Sequence, residues 1–454
     1  MEEFELEGVW WLPETPEDRV PGTLEFSPVS GASLDLLDSL KDPGNHFAAF
    51  ERELLEPGLI LGLTSKGKPV TLWGCSERRK NVNLAGFTRT SFHADVALVG
   101  AHLGDAEDTR FTKVSAEYRH LDEWAGLSGF GVTIPEDRTT HPMVIEHERV
   151  APVAAPVAGA RVAVEVRATL KDNSLGPARE AAIRERTLLS VEYPGGRRFG
   201  EWSVLLRRLR NFLTLGVGAS VEPLAVRAET GGGASAEVHY RPAGARGGTP
   251  PGRKVHRAEM LFSLRDIHED FGRFLGDWFG KAERLGPVYD LYFATAYGSP
   301  AYLDDRFLSL VQAVEAYHRR ALGTTELPVE EHERRIEGII GAAPDAHKDW
   351  LRGKLAYSNE PSLRKRLKEI MRRDPEVMEP IFGDGKKERM DFVGKVVDTR
   401  NYLTHYDEGR KGTAAVGRNL HELSERLKSI LEACLLREAG FKGDQLKEVL
   451  SRKR

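Results

Sequence analysis

Two hydrophobic periods divide this chain. In the first half, short apolar runs alternate with polar residues and are punctuated by Gly and Pro. Leu59 to Leu63 and Val70 to Trp73 flank Ser65-Lys66-Gly67-Lys68-Pro69, the pattern of two strands joined by a tight turn. Val162, Val164 and Val166 alternate with Ala163 and Glu165, which predicts a half-buried strand. Ala94 to Val99, Met143 to Glu146 and Leu188 to Tyr193 predict three more, and Trp10-Trp11-Leu12-Pro13 reads as a strand with anchoring aromatics. Many short strands with frequent breakers predict an antiparallel sandwich or barrel.

The period then lengthens. Leu205, Leu206, Leu209, Phe212 and Leu213 place a helix over Trp202 to Leu215. Gly231 to Arg253 reads as a long loop or hairpin tip around Val238-His239-Tyr240. Its Gly231-Gly232-Gly233 lacks the Gly-Lys-Ser/Thr ending of a phosphate loop. Arg257 to Leu264 is expected to return as a strand. From residue 266 onward the apolar stripes are helical: Phe271, Phe274, Leu275, Trp278 and Phe279; Leu303, Phe307, Leu310, Val311, Val314 and Tyr317; Leu351 to Tyr357; Leu363 to Met371; Phe392, Val393, Val396 and Val397; and Leu420 to Leu435, with Gly440 as the stop. The predicted fold class is a multidomain α+β protein. A β-rich sandwich or barrel occupies 1–200, a mixed continuation 201–298, and an all-α helical bundle 299–454.

Composition narrows the function. The chain has 454 residues and a net charge of -4, so nothing global draws it onto nucleic acid, and any such binding needs a local patch. Two cysteines, Cys75 and Cys434, exclude a disulfide framework or a cysteine-rich zinc site and fit a reduced cytosol. The acidic start lacks a secretory signal, and no apolar run approaches the roughly 20 residues that span a bilayer. A cytoplasmic protein is expected. His-Glu-x-x-His, Gly-x-Ser-x-Gly and dinucleotide fingerprints are absent from the sequence. His141 and His147, with Glu146 between them, read as surface histidines rather than metal ligands. No cofactor and no metal are expected.

The candidate chemistry lies in Asp398-Thr399-Arg400-Asn401-Tyr402-Leu403-Thr404-His405-Tyr406. A histidine moves protons near neutral pH, and an arginine holds charge that builds on a phosphate. That pair is close to the minimum for cutting RNA without a metal. On spacing alone it also describes a helix C-terminus, where cations suit the dipole. Five residues along an ideal helix turn about 500°, which leaves Arg400 and His405 about 140° apart. A straight helix in one subunit is therefore not expected to converge both on one phosphate. Either the helix ends or bends after Asn401, or a two-fold axis assembles the site. Asn401 would contact phosphate or orient His405, and Tyr402 and Tyr406 would stack on a base or pack in the bundle. Glu315 and His318, one turn apart on a helix, would support Arg400 or form a surface ion pair. Arg364, Lys365, Arg366, Lys368, Arg372 and Arg373 form the clearest basic cluster, read either as an RNA grip or as a solvated helix face. Lys386-Lys387 and Arg410-Lys411 are weaker positive spots.

Three segments in order add specificity. Phe307-Leu308-Ser309-Leu310-Val311-Gln312-Ala313-Val314-Glu315-Ala316-Tyr317-His318, Asn359-Glu360-Pro361-Ser362-Leu363-Arg364-Lys365-Arg366-Leu367 and Arg400-Asn401-Tyr402-Leu403-Thr404-His405 resemble the HEPN domains of ApeA-like bacterial anti-phage defence proteins. Gly8-Val9-Trp10-Trp11-Leu12-Pro13, Val20-Pro21-Gly22-Thr23-Leu24-Glu25-Phe26 and, more weakly, Phe212-Leu213-Thr214-Leu215 resemble the ApeA N-terminal domain. The resemblance implies a metal-independent endoribonuclease that acts in abortive infection, with tRNA the leading substrate. It implies a homodimer through the HEPN domain, with Arg400 and His405 of both subunits in one cleft. The 2′-OH would attack the adjacent phosphorus and leave a 2′,3′-cyclic phosphate. The N-terminal domain would hold the enzyme inactive until it senses a phage-encoded trigger. The competing reading is a non-catalytic HEPN module that binds RNA, a nucleotide or a protein.

Overall fold

The computed structural model describes residues 1–41, 55–81, 88–134, 144–171, 182–242, 244, 255–298, 302–373, 375–383, 385–406, 409 and 411–452. His141, Met143, residues 243 and 245–253 of the glycine-rich stretch, and Arg410 lie outside them. The chain forms two compact units, Met1–Gly276 and Asp277–Arg454. The range 201–298, read from the sequence as a middle segment, is shared between them. The fold class is the expected one, a β-rich N-terminal region followed by helices.

The first unit opens with β1 (Phe4–Trp11), β2 (Val20–Ser27), β3 (Gly31–Leu36), β4 (Gly58–Thr64), β5 (Pro69–Asn81), β6 (Arg89–Ala94) and β7 (Val96–Val99). Neighbour pairing in the order β5-β4-β1-β2-β3-β6, with β6 returning to β5, closes six strands into a barrel. Its core holds Trp10, Leu24, Phe26, Leu34, Ile60, Leu72 and Phe92. Trp10 faces Gly62 across the β1–β4 ladder, and a side chain at Gly62 would meet its ring at 2.2 Å. That glycine makes room for the largest core side chain. Trp11, on the opposite face of the same strand, is also buried, under Arg19 and against His102. Burial drives the Cys75 thiol up to about 12, so it stays protonated inside the barrel.

The run Ala94 to Val99 is two strands rather than one. Ser76 pairs with His93, and Trp73 pairs with Val96 in the same register. Between them Gly74 takes a φ of +65°, and a side chain there would collide with the Asp95 carboxyl group. At this bend β7 leaves the barrel and joins an antiparallel extension. Its further strands are β8 (Phe111–Tyr118), β11 (Val153–Val157), β12 (Ala160–Lys171), β13 (Ala182–Arg197), β14 (Pro223–Thr230) and β15 (Ser235–Tyr240), in the order β7-β15-β14-β8-β13-β12-β11. A separate ribbon pairs β9 (Phe130–Thr133) with β10 (Val144–His147). Helix α1 (Leu121–Ala125) follows β8, and α2 (Phe199–Val217) buries Trp202, Leu206, Leu209, Phe212 and Leu213, as the periodicity predicts.

Two expectations are corrected. Val238-His239-Tyr240 is not a hairpin tip; it lies in β15, between β14 and β7, and the turn is at Gly231–Gly233. Arg257 to Leu264 is not a strand. Met260, Leu261 and Phe262 are all fully buried, which leaves no alternation for one exposed sheet face, and Ser263 caps the short helix α3 (Leu264–Ile267) through Asp266. Ala163 is buried together with Val162 and Val164, so β12 is covered on both faces there.

The division between the units falls within α4 (Phe271–Lys281). The second unit continues with α5 (Gly286–Tyr297), α6 (Leu303–Tyr317), α7 (Val329–Ala342), α8 (Asp345–Leu355), α9 (Leu363–Arg373), α10 (Glu379–Phe382), α11 (Lys386–His405), α12 (Gly417–Glu438) and α13 (Gly443–Ser451). Helix α6 packs against α5, α12, α9 and α11 and forms the centre of the bundle. Among the described residues no helix is long and apolar enough to cross a membrane.

Two buried groups set testable stabilities. Glu438, buried in the second unit, accepts from Tyr317 Oη at 3.0 Å and lies 3.3 Å from Arg284 Nη2, 3.4 Å from Lys281 Nζ and 3.7 Å from Arg373 Nη1. Removing the acceptor leaves the buried phenol's proton without Glu438 and loosens three cations, so Glu438→Ala is expected to cost about 3 kcal/mol in denaturant unfolding. A change within error would refute this. In the first unit, His239 packs against Phe4 and Phe26, and its Nδ1 has no hydrogen-bond partner among the described residues. Burial lowers its pKa from 6.5 to about 4, against the pull of Glu237; the N-terminal ammonium lowers it further. The unfolded chain therefore binds the extra proton between these values. The stabilisation is complete above pH 6.5 and is lost as pH falls toward 4, up to about 3 kcal/mol. His239→Phe is expected to flatten this part of the stability-pH curve; equal slopes for both proteins would contradict the assignment.

Candidate functional site

Helix α11 runs unbroken from Lys386 to His405. Phe392, Val393, Val396, Thr399 and Leu403 form its buried face, so the seam ends one position before Arg400 and resumes after it. Thr399 Oγ1 accepts from the Ala415 N–H at 2.9 Å, which ties the end of the helix to the returning chain. Tyr406 closes the helix in the left-handed region, φ 49°, and its N–H donates to the Tyr402 carbonyl. A left-handed tyrosine costs about 1–2 kcal/mol relative to an unstrained residue, and this strain sits beside His405.

The helix therefore does not end after Asn401. Arg400 and His405 nevertheless border one hollow of about 300 Å³, together with Leu308, Val311, Gln312, Glu315 and Thr404. The α6 residues recur at helical spacing and present one face to the last turn of α11. The 140° between the two Cα positions is an angle of the backbone, and the arginine side chain is long enough to reduce it at the guanidinium. Within one chain the two residues thus border the same hollow although the helix runs on past Asn401.

Arg400 is oriented from both sides. Its Nη2 donates to Glu315 Oε1 at 3.3 Å and its Nη1 to Asn401 Oδ1 at 3.2 Å. Each terminal nitrogen carries two N–H groups, so one on each remains for a ligand. Thr404 Oγ1 donates to the Arg400 carbonyl at 2.7 Å. His405 and Tyr406 are exposed, Tyr402 is half-buried, and the two tyrosine rings meet edge to face at 5.9 Å.

Glu315 and His318, paired in the sequence reading, have different tasks. Glu315 reaches Arg400. His318 is fully buried, at the start of a π-helical turn, His318–Leu322. Its Nε2 lies 2.6 Å from Glu369 Oε2 and its Nδ1 3.4 Å from Arg366 Nη1. Thr324 Oγ1 donates to the same Glu369 oxygen at 2.6 Å. Thr324, His318 and Lys365 hold the Glu369 carboxyl below the usual range, against its partial burial.

The basic cluster does not form one surface. Arg366 is only 6% exposed and donates to the Pro361 carbonyl at 2.8 Å and to Glu360 at 3.1 Å. Lys365 is tied to Glu326 at 2.8 Å, and Arg373 to Tyr317 Oη at 3.2 Å. Arg364 and Arg372 are exposed and Lys368 is half-buried. Asn359 is structural: its side chain brackets Leu327 through the backbone N–H at 2.8 Å and the carbonyl at 3.1 Å. In the first unit, His147 lies 2.8 Å from Glu185, which also accepts from Gly129 and Ser128.

A second cavity, of about 810 Å³, shares Gln312, Glu315 and Arg400 with the hollow and extends along α6 to the start of α9. Arg319, Arg320 and Glu360, which line it, were missed from the sequence. His318-Arg319-Arg320 would have read as another basic run, and only the π turn gives it a direction.

The family described as ApeA N-terminal domain 1 matches residues 5–278, and that described as Apea-like HEPN matches residues 308–445. No curated protein and no solved structure matches the chain. The first match spans the barrel and its sheet extension, and the second contains Glu315, Arg366, Arg400 and His405. The chain belongs to the ApeA-like family: an ApeA N-terminal domain 1 followed by an Apea-like HEPN domain.

Proposed function

We propose that the protein is a metal-independent endoribonuclease of an anti-phage system that cuts host RNA, with tRNA as its substrate. The observation that carries this reading is the shared hollow: Arg400, held by Glu315 and Asn401, and His405 border the same space. A phosphate there would take the two remaining terminal N–H groups of Arg400 as a bidentate pair. As the 2′-OH attacks the adjacent phosphorus, its proton leaves and negative charge grows on the non-bridging oxygens. His405, exposed at the helix end, transfers the proton as base or acid. Arg400 stabilises the charge in place. The bond from phosphorus to the 5′-oxygen breaks, leaving a 2′,3′-cyclic phosphate and a 5′-OH.

Glu315 is the positioning residue for Arg400. Tyr402 and Tyr406 offer ring faces to an unpaired base. A homodimer through the HEPN unit would bring a second Arg400 and His405 to the same cleft. The first unit serves as the sensor that restrains cleavage until a phage-encoded trigger is met, since unrestrained cutting would kill the host.

The test uses the purified full chain, RNA and a clarified extract of phage-infected cells, which supplies the trigger. Wild type is expected to cut in the presence of EDTA and to leave cyclic-phosphate ends. His405→Ala and Arg400→Ala are each expected to lose at least about 100-fold in rate with unchanged thermal unfolding. RNA that is bound but left whole by wild type would assign the protein instead to the non-catalytic, RNA-binding reading. Sedimentation of a monomer that still cuts would remove the two-fold cleft alone.

A further inference from the structure

The larger cavity beside the hollow is lined by five arginines, Arg319, Arg320, Arg364, Arg366 and Arg400, against two carboxylates, Glu315 and Glu360. The carboxylates are already engaged. Glu360 takes Arg319 and Arg366, and Glu315 takes Arg400. Arg320 donates to the Arg284 backbone carbonyl at 3.3 Å, and neither it nor Arg364 meets a carboxylate among the described residues. The cavity therefore carries uncompensated positive charge in a chain whose net charge is -4. Its volume, about 810 Å³, lies within the roughly 300–1,000 Å³ typical of ligand pockets.

The support beneath it is rigid. Arg366 is anchored by the Pro361 carbonyl, Glu360 and His318, and His318 by Glu369. The π turn at His318–Leu322 inserts an extra residue into the α6 helical path, which sets where Arg319 and Arg320 emerge. Ser362 and Arg364 bring the first turn of α9, with its positive dipole end, to the same cavity.

We infer that this cavity holds the RNA backbone beyond the cut, with Arg320 and Arg364 gripping a phosphate that neighbours the scissile one. The inference rests on the nuclease reading, because Arg400 is the wall common to the two spaces. Guanidinium forks match phosphate oxygens, and a strand whose scissile phosphate meets Arg400 has its next phosphate within reach of the adjoining cavity. Arg320 and Arg364 are then binding residues that set how a strand lies across the site, while Arg400 and His405 act on the bond.

The test measures binding with the full chain carrying His405→Ala and a single-stranded RNA hexamer. Adding Arg320→Ala and Arg364→Ala together is expected to weaken binding roughly tenfold or more and to make the salt dependence shallower by about one to two in slope. A single neutral methylphosphonate is walked along the hexamer. At one flanking position it is expected to weaken binding to the protein with both arginines and to leave the double variant unaffected. Equal affinity of the double variant, or no penalty at any flanking position, overturns the inference; the second result does so even if the double variant misfolds. AMP that binds through the two arginines while RNA affinity ignores them would also overturn it, in favour of a free-nucleotide site. Failure of the nuclease reading looks different: RNA is gripped with these dependences, yet the chain with His405 intact leaves it whole even with infected-cell extract present.

Discussion

A permanently charged guanidinium buried among helices is costly unless it is matched, and each nitrogen of Arg366 has a partner. Its acceptors come from three places: the Pro361 carbonyl and Glu360 before α9, and the His318 ring at the end of α6. His318 in turn is held by Glu369 on α9. The position of the π turn against α9 follows from satisfying one cation. Because Glu315 lies on the same helix one turn before His318, fixing His318 also fixes the carboxylate that orients Arg400. The hollow and the arginine-lined cavity thus share a frame built on Glu315, His318 and Arg366.

The first unit solves a different constraint. A sheet leaves unpaired edges, and closing β5-β4-β1-β2-β3-β6 removes them locally. Closure needs one strand to serve two sheets. The hairpin of β5 with β6 and β7 does this by bending at Gly74 and Asp95, where a side chain on residue 74 would collide. One half of the hairpin stays in the barrel and the other starts the extension. Trp10 fills the barrel because Gly62 yields the space opposite. The barrel is therefore specified by two glycines and one indole as much as by its aliphatic alternation.

Much of this was legible in the residues. Helix α2, the stripes of α6 and α11, the hairpin of β4 and β5, and the stop at Gly440 follow from periodicity and turn chemistry. Misreadings came where local pattern does not decide. Val238-His239-Tyr240 follows a glycine-rich turn and resembles a tip, but two neighbouring strands recruit it. Met260-Leu261-Phe262 is apolar without alternation, and such a run is a strand or a buried connector depending on what surrounds it. The basic cluster on α9 could not be divided by sequence, since Arg364 and Arg366 differ only in which face of the helix they occupy.

By itself the sequence determined that a β-rich region precedes a helical bundle, and that Arg400, Asn401 and His405 lie together near its end. Those properties are local: period, turn residues and short spacings survive in one dimension. Only the tertiary structure decided that Glu315 orients Arg400, that His318 and Arg366 are interior supports, and that Arg319 and Arg320 face the same cavity as Arg364. Each of these depends on contacts between helices far apart in the chain, and burial of a charge becomes favourable only when distant acceptors are brought to it.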